Sequence, residues 1–126
     1  MARNRFRLSA LVLLIPLMVA CSSSSATGGA TTQELMLKPL DTLKFDKTML
    51  TAKAGQPIHL TLDNSAGEQV HDFSVTEGIA QPIAVTAQPG QKANGTFTID
   101  KPGTYTYFCS QPGHREAGMV GMLRVD

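Results

Sequence analysis

The segment from Cys109 to Met119 constrains the fold of this chain more than any other feature. A thiol, an imidazole and a thioether occur in it at equal spacing, C-x4-H-x4-M, at Cys109, His114 and Met119. Residues 103–109 lead into it with Tyr105, Tyr107 and Cys109 on one predicted face, and residues 120–125 follow it, which predicts a strand on each side. Two strands joined by this loop would let the three side chains converge on one point.

An upstream histidine, His71, can supply a fourth ligand from a separate strand. Thiolate and thioether are soft ligands that suit copper, and imidazole suits copper and zinc. Paired Cys/His clusters, which structural zinc sites normally use, do not occur in this sequence. Individually, Cys109, His114 and Met119 are more simply explained as core or loop residues. Their joint spacing with His71 instead favours one copper ion in an electron-transfer site, bound by two imidazoles, a thiolate and a weak axial thioether.

The remaining pattern predicts about seven to eight short strands, frequent turns and no helix. This favours an all-β fold, a two-sheet Greek-key β-sandwich. In one strand Ile58, Leu60 and Leu62 alternate and are predicted to face the core, which turns His59 away from it. The predicted strands are residues 35–45 with an interruption near Pro39, then 49–52, 58–63, 70–75, 95–99, 103–109 and 120–125, and residues 78–90 form a long irregular connection with an edge strand.

The N-terminus predicts export. Arg3, Arg5 and Arg7 precede an apolar run at residues 11–20, as in a signal peptide. Cys21 follows at once, and the sequence around it resembles a bacterial lipoprotein box, which implies a lipidated Cys21. The expected organisation is a signal peptide at 1–20, a lipidated N-terminus with a flexible linker at 21–33, and a copper domain at 34–126. The expected location is periplasmic or otherwise extracytoplasmic, at a bacterial membrane. A plain secretory signal with an incidental cysteine is the alternative.

Charge and cysteine content limit the partners. Loss of the three signal-peptide arginines from 11 basic residues leaves 8 against 10 acidic ones, and no basic cluster remains, so we expect no nucleic-acid binding. The chain has two cysteines, so lipidation of Cys21 would leave Cys109 without an intramolecular partner. A lone thiol is a liability in an oxidising compartment unless something occupies its sulfur. A bound metal would do so and would displace the thiol proton.

These residues together resemble the cupredoxins, the plastocyanin, azurin and auracyanin kind of blue copper protein. The resemblance rests on residues 70–73, 103–109, 112–114 and 118–121. It implies a cupredoxin-like sandwich with one type 1 copper ion, bound by His71, Cys109, His114 and, axially, Met119. One position departs from the pattern, because Asp72 stands where plastocyanin and azurin carry asparagine. That change adds a potential negative charge within reach of Ser110.

The expected function is a membrane-tethered carrier of single electrons between a redox donor and a redox acceptor. We expect a monomer, and no enzyme, because the axial thioether would fill the position that catalytic metals keep open. Two alternatives remain at this point. One is a copper chaperone or storage lipoprotein that uses the same ligands. The other is a sandwich that has lost its metal and only mediates contacts.

Overall fold

The computed structural model describes Gly29 and residues 31–126. None of these residues lies in a helix, so this part of the chain has no helix that could cross a membrane. The predicted signal peptide, Cys21 and most of the predicted linker lie outside the described residues. The strands are β1 (Gln33–Leu37), β2 (Pro39–Leu40), β3 (Lys44–Phe45), β4 (Met49–Ala52), β5 (Ile58–Asn64), β6 (His71–Val75), β7 (Ile83–Ala87), β8 (Gln91–Phe97), β9 (Gly103–Phe108) and β10 (Val120–Val125).

The strands form two main sheets. One sheet has three strands in the order β1-β5-β8, and the other has five in the order β4-β10-β9-β6-β7. β2 and β3 pair separately as a small antiparallel ribbon. The chain changes sheet between β4 and β5, β5 and β6, β7 and β8, and β8 and β9, as in a Greek-key sandwich. The predicted all-β sandwich is therefore confirmed.

The core lies between the two sheets and follows the alternation of the sequence. Ile58, Leu60 and Leu62 of β5 are completely buried and belong to one apolar cluster with β10 residues such as Leu123. His59 points outward, where its Nδ1 lies 2.7 Å from a carboxylate oxygen of Glu34. Each fully buried aliphatic side chain of this kind contributes about 1.5–3 kcal/mol, so this cluster holds the sheets together.

Several predicted strand boundaries were wrong, and the predicted edge strand is confirmed. β8 begins at Gln91 rather than at residue 95, because it pairs with β5 along its full length although its first residues are polar. The predicted strand at 40–45 is broken by a turn at residues 41–43, in which Leu43 takes a φ of 59°. The edge strand expected within residues 78–90 is β7, at the edge of the five-stranded sheet.

The strand directions bring the predicted ligands to one end of the sandwich. β6 starts with His71 and runs antiparallel to β9, and Cys109 directly follows the last residue of β9. Met119 directly precedes β10, which pairs with β9 along its length. The start of β6, the end of β9 and the start of β10 therefore meet at the same end of the five-stranded sheet.

Candidate metal centre

Three of the predicted ligands converge in the structure. One donor atom each from His71, Cys109 and His114 lies within 4.8 Å of the other two. The Sγ atom of Cys109 is 3.9 Å from Nδ1 of His71 and 3.4 Å from Nδ1 of His114. The two imidazole rings lie 5.0 Å apart between centroids. His71 and Cys109 are fully buried, and His114 is partly exposed.

Cys109 is a free thiol, and two backbone amides face its sulfur. The backbone N–H of Asp72 points at its Sγ over 3.4 Å, and the backbone amide of Gln111 also favours the charged form. Burial nevertheless raises the pKa of the Cys109 thiol above its ordinary value, because desolvation outweighs these amides. Without a cation the site therefore keeps the neutral thiol, and metal binding must displace its proton.

His71 lies between two partners. Its Nδ1 faces Cys109, and its Nε2 lies 3.3 Å from Oδ1 of Asp41, in the turn between β2 and β3. Burial is the main cause that lowers the pKa of His71 below its ordinary value, against the opposing effect of Asp41. A lowered pKa favours the neutral imidazole, which is the form that binds metals. The sequence pattern did not indicate Asp41, because residues 40–45 were predicted to form one strand.

The side chain of Asp72 reaches Ser110, as expected from the sequence. Its Oδ1 accepts hydrogen bonds from the Ser110 backbone N–H at 2.7 Å and from the Ser74 hydroxyl at 3.0 Å. Its Oδ2 accepts the Ser110 hydroxyl at 2.7 Å and the Gln111 side-chain amide at 2.9 Å. All four groups act as donors to a buried side chain, which is the pattern of a carboxylate. Asp72 thus fixes the residues that follow Cys109 and places negative charge beside the thiol.

The loop from Cys109 to Met119, here called the ligand loop, is held closed at its base. The N–H of Cys109 donates to the carbonyl of Met119, and the N–H of Met119 donates to the carbonyl of His114. Lys44, on β3, donates from Nζ to the carbonyl of Ala117 at 2.8 Å, with the Gly118 carbonyl at 3.3 Å. Lys44 is a second contact that the sequence pattern did not reveal, because it joins residues more than seventy positions apart.

The structure separates the two methionines near the end of the loop. Met119 is fully buried in the core cluster, whereas Met122 is 46 % exposed on the outer face of β10. Leu123 and Val125 are also buried and share the inward phase of Met119 in the alternation of the strand. Met119 is therefore the methionine placed on the inner side of the sheet with the site. Its role as an axial ligand stays a prediction.

The donor set fits copper. A buried thiol beside two imidazole nitrogens combines a soft ligand with nitrogen donors, the combination that suits copper in electron-transfer sites. No carboxylate belongs to this group among the residues that the structure describes, which argues against a hard cation such as magnesium or calcium. A β-sandwich that brings two histidines and one cysteine together at one end defines the class of blue copper proteins.

Comparison with known proteins gives the same class. The copper binding proteins of the plastocyanin/azurin family match residues 31–126. The chain belongs to this family, and it is a copper-binding cupredoxin.

Two curated relatives illustrate the range of the family. The chain is 31% identical over 99 residues to "Auracyanin-A" of Chloroflexus aurantiacus, and this match covers 57% of the chain. It is 28% identical over 102 residues to the "Copper-resistant cuproprotein CopI" of Rubrivivax gelatinosus, covering 68% of the chain. Each match spans 61% of the relative's own length, so these proteins are longer than the matched region.

Solved structures support the fold. Auracyanin A, described as a "blue" copper protein from Chloroflexus aurantiacus, superimposes with a TM-score of 0.68 at 26% identity, covering 76% of this chain and 100% of that one. A dithionite-reduced auracyanin from Roseiflexus castenholzii gives a TM-score of 0.66 at 24% identity, covering 78% of this chain and 99% of the other. The predicted cupredoxin-like sandwich is confirmed by these likenesses.

Proposed function

We propose that this protein carries single electrons between a redox donor and a redox acceptor. His71, Cys109 and His114 would hold one copper ion, with Met119 as a weaker fourth ligand. When bound, copper supplies a one-electron couple. The observation that carries the proposal is the convergence of three donor atoms within 4.8 Å at a largely buried site. Ligands that are already in place need little movement when the oxidation state changes.

The surrounding residues would keep this geometry fixed. Asp72 holds the segment after Cys109 through Ser110, and Lys44 holds the segment before Met119 through two carbonyl groups. His114 is the one partly exposed histidine of the three-residue cluster, and the neighbouring Gly113 is exposed. We infer that partners exchange electrons here, since the partly exposed His114 ring offers a short path from the site to the surface.

The test is the visible absorption of the copper-loaded full-length protein. Wild type should be intensely coloured because a thiolate is bound to Cu(II), and Cys109→Ser should lose this absorption. The matched control is Cys21→Ser, which removes the other cysteine and should keep the colour. If Cys109→Ser retains the absorption, Cys109 is not the thiolate ligand.

Copper storage or delivery is the second candidate. The similarity to a protein named a copper-resistant cuproprotein favours it, as does the partial exposure of His114. The two functions differ in measurable ways. A carrier should show a reversible potential and retain copper against a chelator, whereas a delivery protein should release copper readily to a chelator or an apoprotein.

We further propose that the protein is exported and anchored to a membrane through lipidated Cys21. The apolar segment at 11–20, the small residues near Cys21 and the family match starting only at residue 31 support this proposal. Cys21→Ser should release the protein from the membrane fraction without loss of copper binding, and Ser22→Ala should leave it in the membrane fraction. Membrane retention of a processed Cys21→Ser protein would contradict lipidation at this position.

A further inference from the structure

We propose that Asp41 is a positioning residue for the metal centre, which selects the tautomer of His71. This inference rests on the proposed role of His71 as a ligand. The Oδ1 of Asp41 lies 3.3 Å from Nε2 of His71, on the side of the ring opposite Cys109. A neutral imidazole has one N–H and one lone pair, and the hydrogen bond made by one nitrogen decides the state of the other. With its proton on Nε2, His71 presents the lone pair of Nδ1 to the site.

Asp41 is itself held in place by the segment that leads into His71. Its Oδ2 accepts the backbone N–H of Glu68 at 2.9 Å, and its Oδ1 accepts that of Gln69 at 3.2 Å. The side-chain amide of Gln69 donates back to the carbonyl of Asp41 at 3.3 Å. The turn at residues 41–43 is therefore fastened to the start of β6, and the carboxylate is aimed at the ring.

Within residues 31–126, no other group hydrogen-bonds to Nε2 of His71. Nδ1 of His71 faces Cys109, and the neighbouring carboxylate of Asp72 is occupied by Ser110, Ser74 and Gln111. An anionic acceptor on the far nitrogen of a metal-binding histidine fixes the orientation of the ring and makes the ligand more basic. A more basic ligand favours Cu(II) over Cu(I), so Asp41 should lower the reduction potential as well as set the tautomer.

The first experiment follows the imidazole nitrogens of the metal-free full-length protein by long-range ¹H–¹⁵N correlation. Wild type should show His71 protonated at Nε2. Asp41→Ala should lose this preference and populate the other tautomer. Asp41→Asn should keep the tautomer protonated at Nε2. The amide oxygen can occupy the position that faces two donors, the backbone N–H of Gln69 and the Nε2–H of His71. This measurement needs no copper, so it stands even if the proposed electron transfer fails.

The second experiment is voltammetry of the copper-loaded variants. Loss of a residue that hydrogen-bonds to a metal ligand typically weakens metal binding 10–100-fold. We expect Asp41→Ala to weaken Cu(II) binding relative to Cu(I) about tenfold, which raises the potential by about 59 mV. Asp41→Asn should raise it by less, because a neutral oxygen acceptor remains.

Asp63 supplies the matched control. Its carboxylate also fastens a turn, through the backbone N–H and hydroxyl of Ser65, but it contacts no histidine. Asp63→Ala and Asp63→Asn should change stability without changing the His71 tautomer or the potential. An unchanged tautomer in Asp41→Ala would overturn the proposal and leave Asp41 a turn-forming role only. If Asp41→Ala does not fold, a wild-type potential in Asp41→Asn would overturn it equally.

Discussion

The charge of Asp72 should lower the reduction potential of this protein, and Asp72→Asn tests this directly. The substitution installs the residue that plastocyanin and azurin carry at this position. Its oxygen can keep the bonds from the Ser110 N–H and the Ser74 hydroxyl. The new amide N–H groups would face the Ser110 hydroxyl and the Gln111 side chain, both of which can turn to accept. Because the hydrogen bonds survive, the variant removes the charge with little change in packing.

The size of the effect follows from the geometry. The backbone nitrogen of Asp72 lies 3.4 Å from Sγ of Cys109. Its carboxylate carbon lies three bonds further along the side chain, which puts the charge within about 7 Å of the sulfur. At this distance two unit charges interact by about 0.6 kcal/mol at a dielectric constant of 80 and by about 2.4 kcal/mol at 20. For a one-electron couple this corresponds to a rise of about 25–100 mV on removing the carboxylate.

Voltammetry of the copper-loaded full-length variants measures this shift. Asp100→Asn is the control, because it removes the same charge from the exposed loop before β9, at the opposite end of that strand from Cys109. The length of β9 puts it about 20 Å away, beyond the screening length of about 8–10 Å. Asp72→Asn should shift the potential upward and Asp100→Asn should not. No upward shift in Asp72→Asn, or equal shifts in both variants, would refute the reasoning.

Two further predictions concern the axial position and the core beneath the site. Met119→Gln should keep copper but lower the potential, because a harder oxygen donor favours Cu(II), whereas Met122→Gln on the exposed face should change it little. A large voltammetric shift confined to the Met122 variant would reverse this assignment. Gly121→Ala should lower the free energy of unfolding by about 1–3 kcal/mol, because its Cβ would lie 2.2 Å from the buried Tyr107 ring. Gly103→Ala meets only ordinary contacts at 3.6 Å and is the control, so equal losses for both in denaturant unfolding of the metal-free protein would contradict this explanation.

The bounds of three strands were predictable from the sequence. β4 and β10 have the predicted bounds, and β5 differs only by the addition of Asn64. Side chains on successive residues of a strand point to opposite faces, so apolar alternation alone indicates which side is buried. The same alternation agrees with a buried Met119 and an exposed Met122.

Prediction was wrong where pairing, rather than composition, forms the strand. Residues 91–94 are mostly polar and exposed, yet they belong to β8 because β5 provides a complete set of hydrogen-bonding partners beside them. The turn at residues 41–43 lies in a segment with apparent alternation, and Leu43 adopts a left-handed conformation that its residue type does not favour. Sheet pairing links distant parts of the chain, so local propensity describes it poorly.

The spacing of Cys109, His114 and Met119 and the strands on either side of them follow from the sequence alone, and so does the kind of metal that would suit the site. These properties are local, because ligand type and strand period are set by neighbouring residues. The residues that surround the ligands are brought there by the tertiary fold. Asp41 approaches His71 from thirty residues away, and Lys44 reaches the Ala117 carbonyl from seventy-three residues away. Such contacts depend on how the two sheets pack and where their loops meet. A pattern among neighbouring residues does not predict contacts between residues so far apart in the sequence.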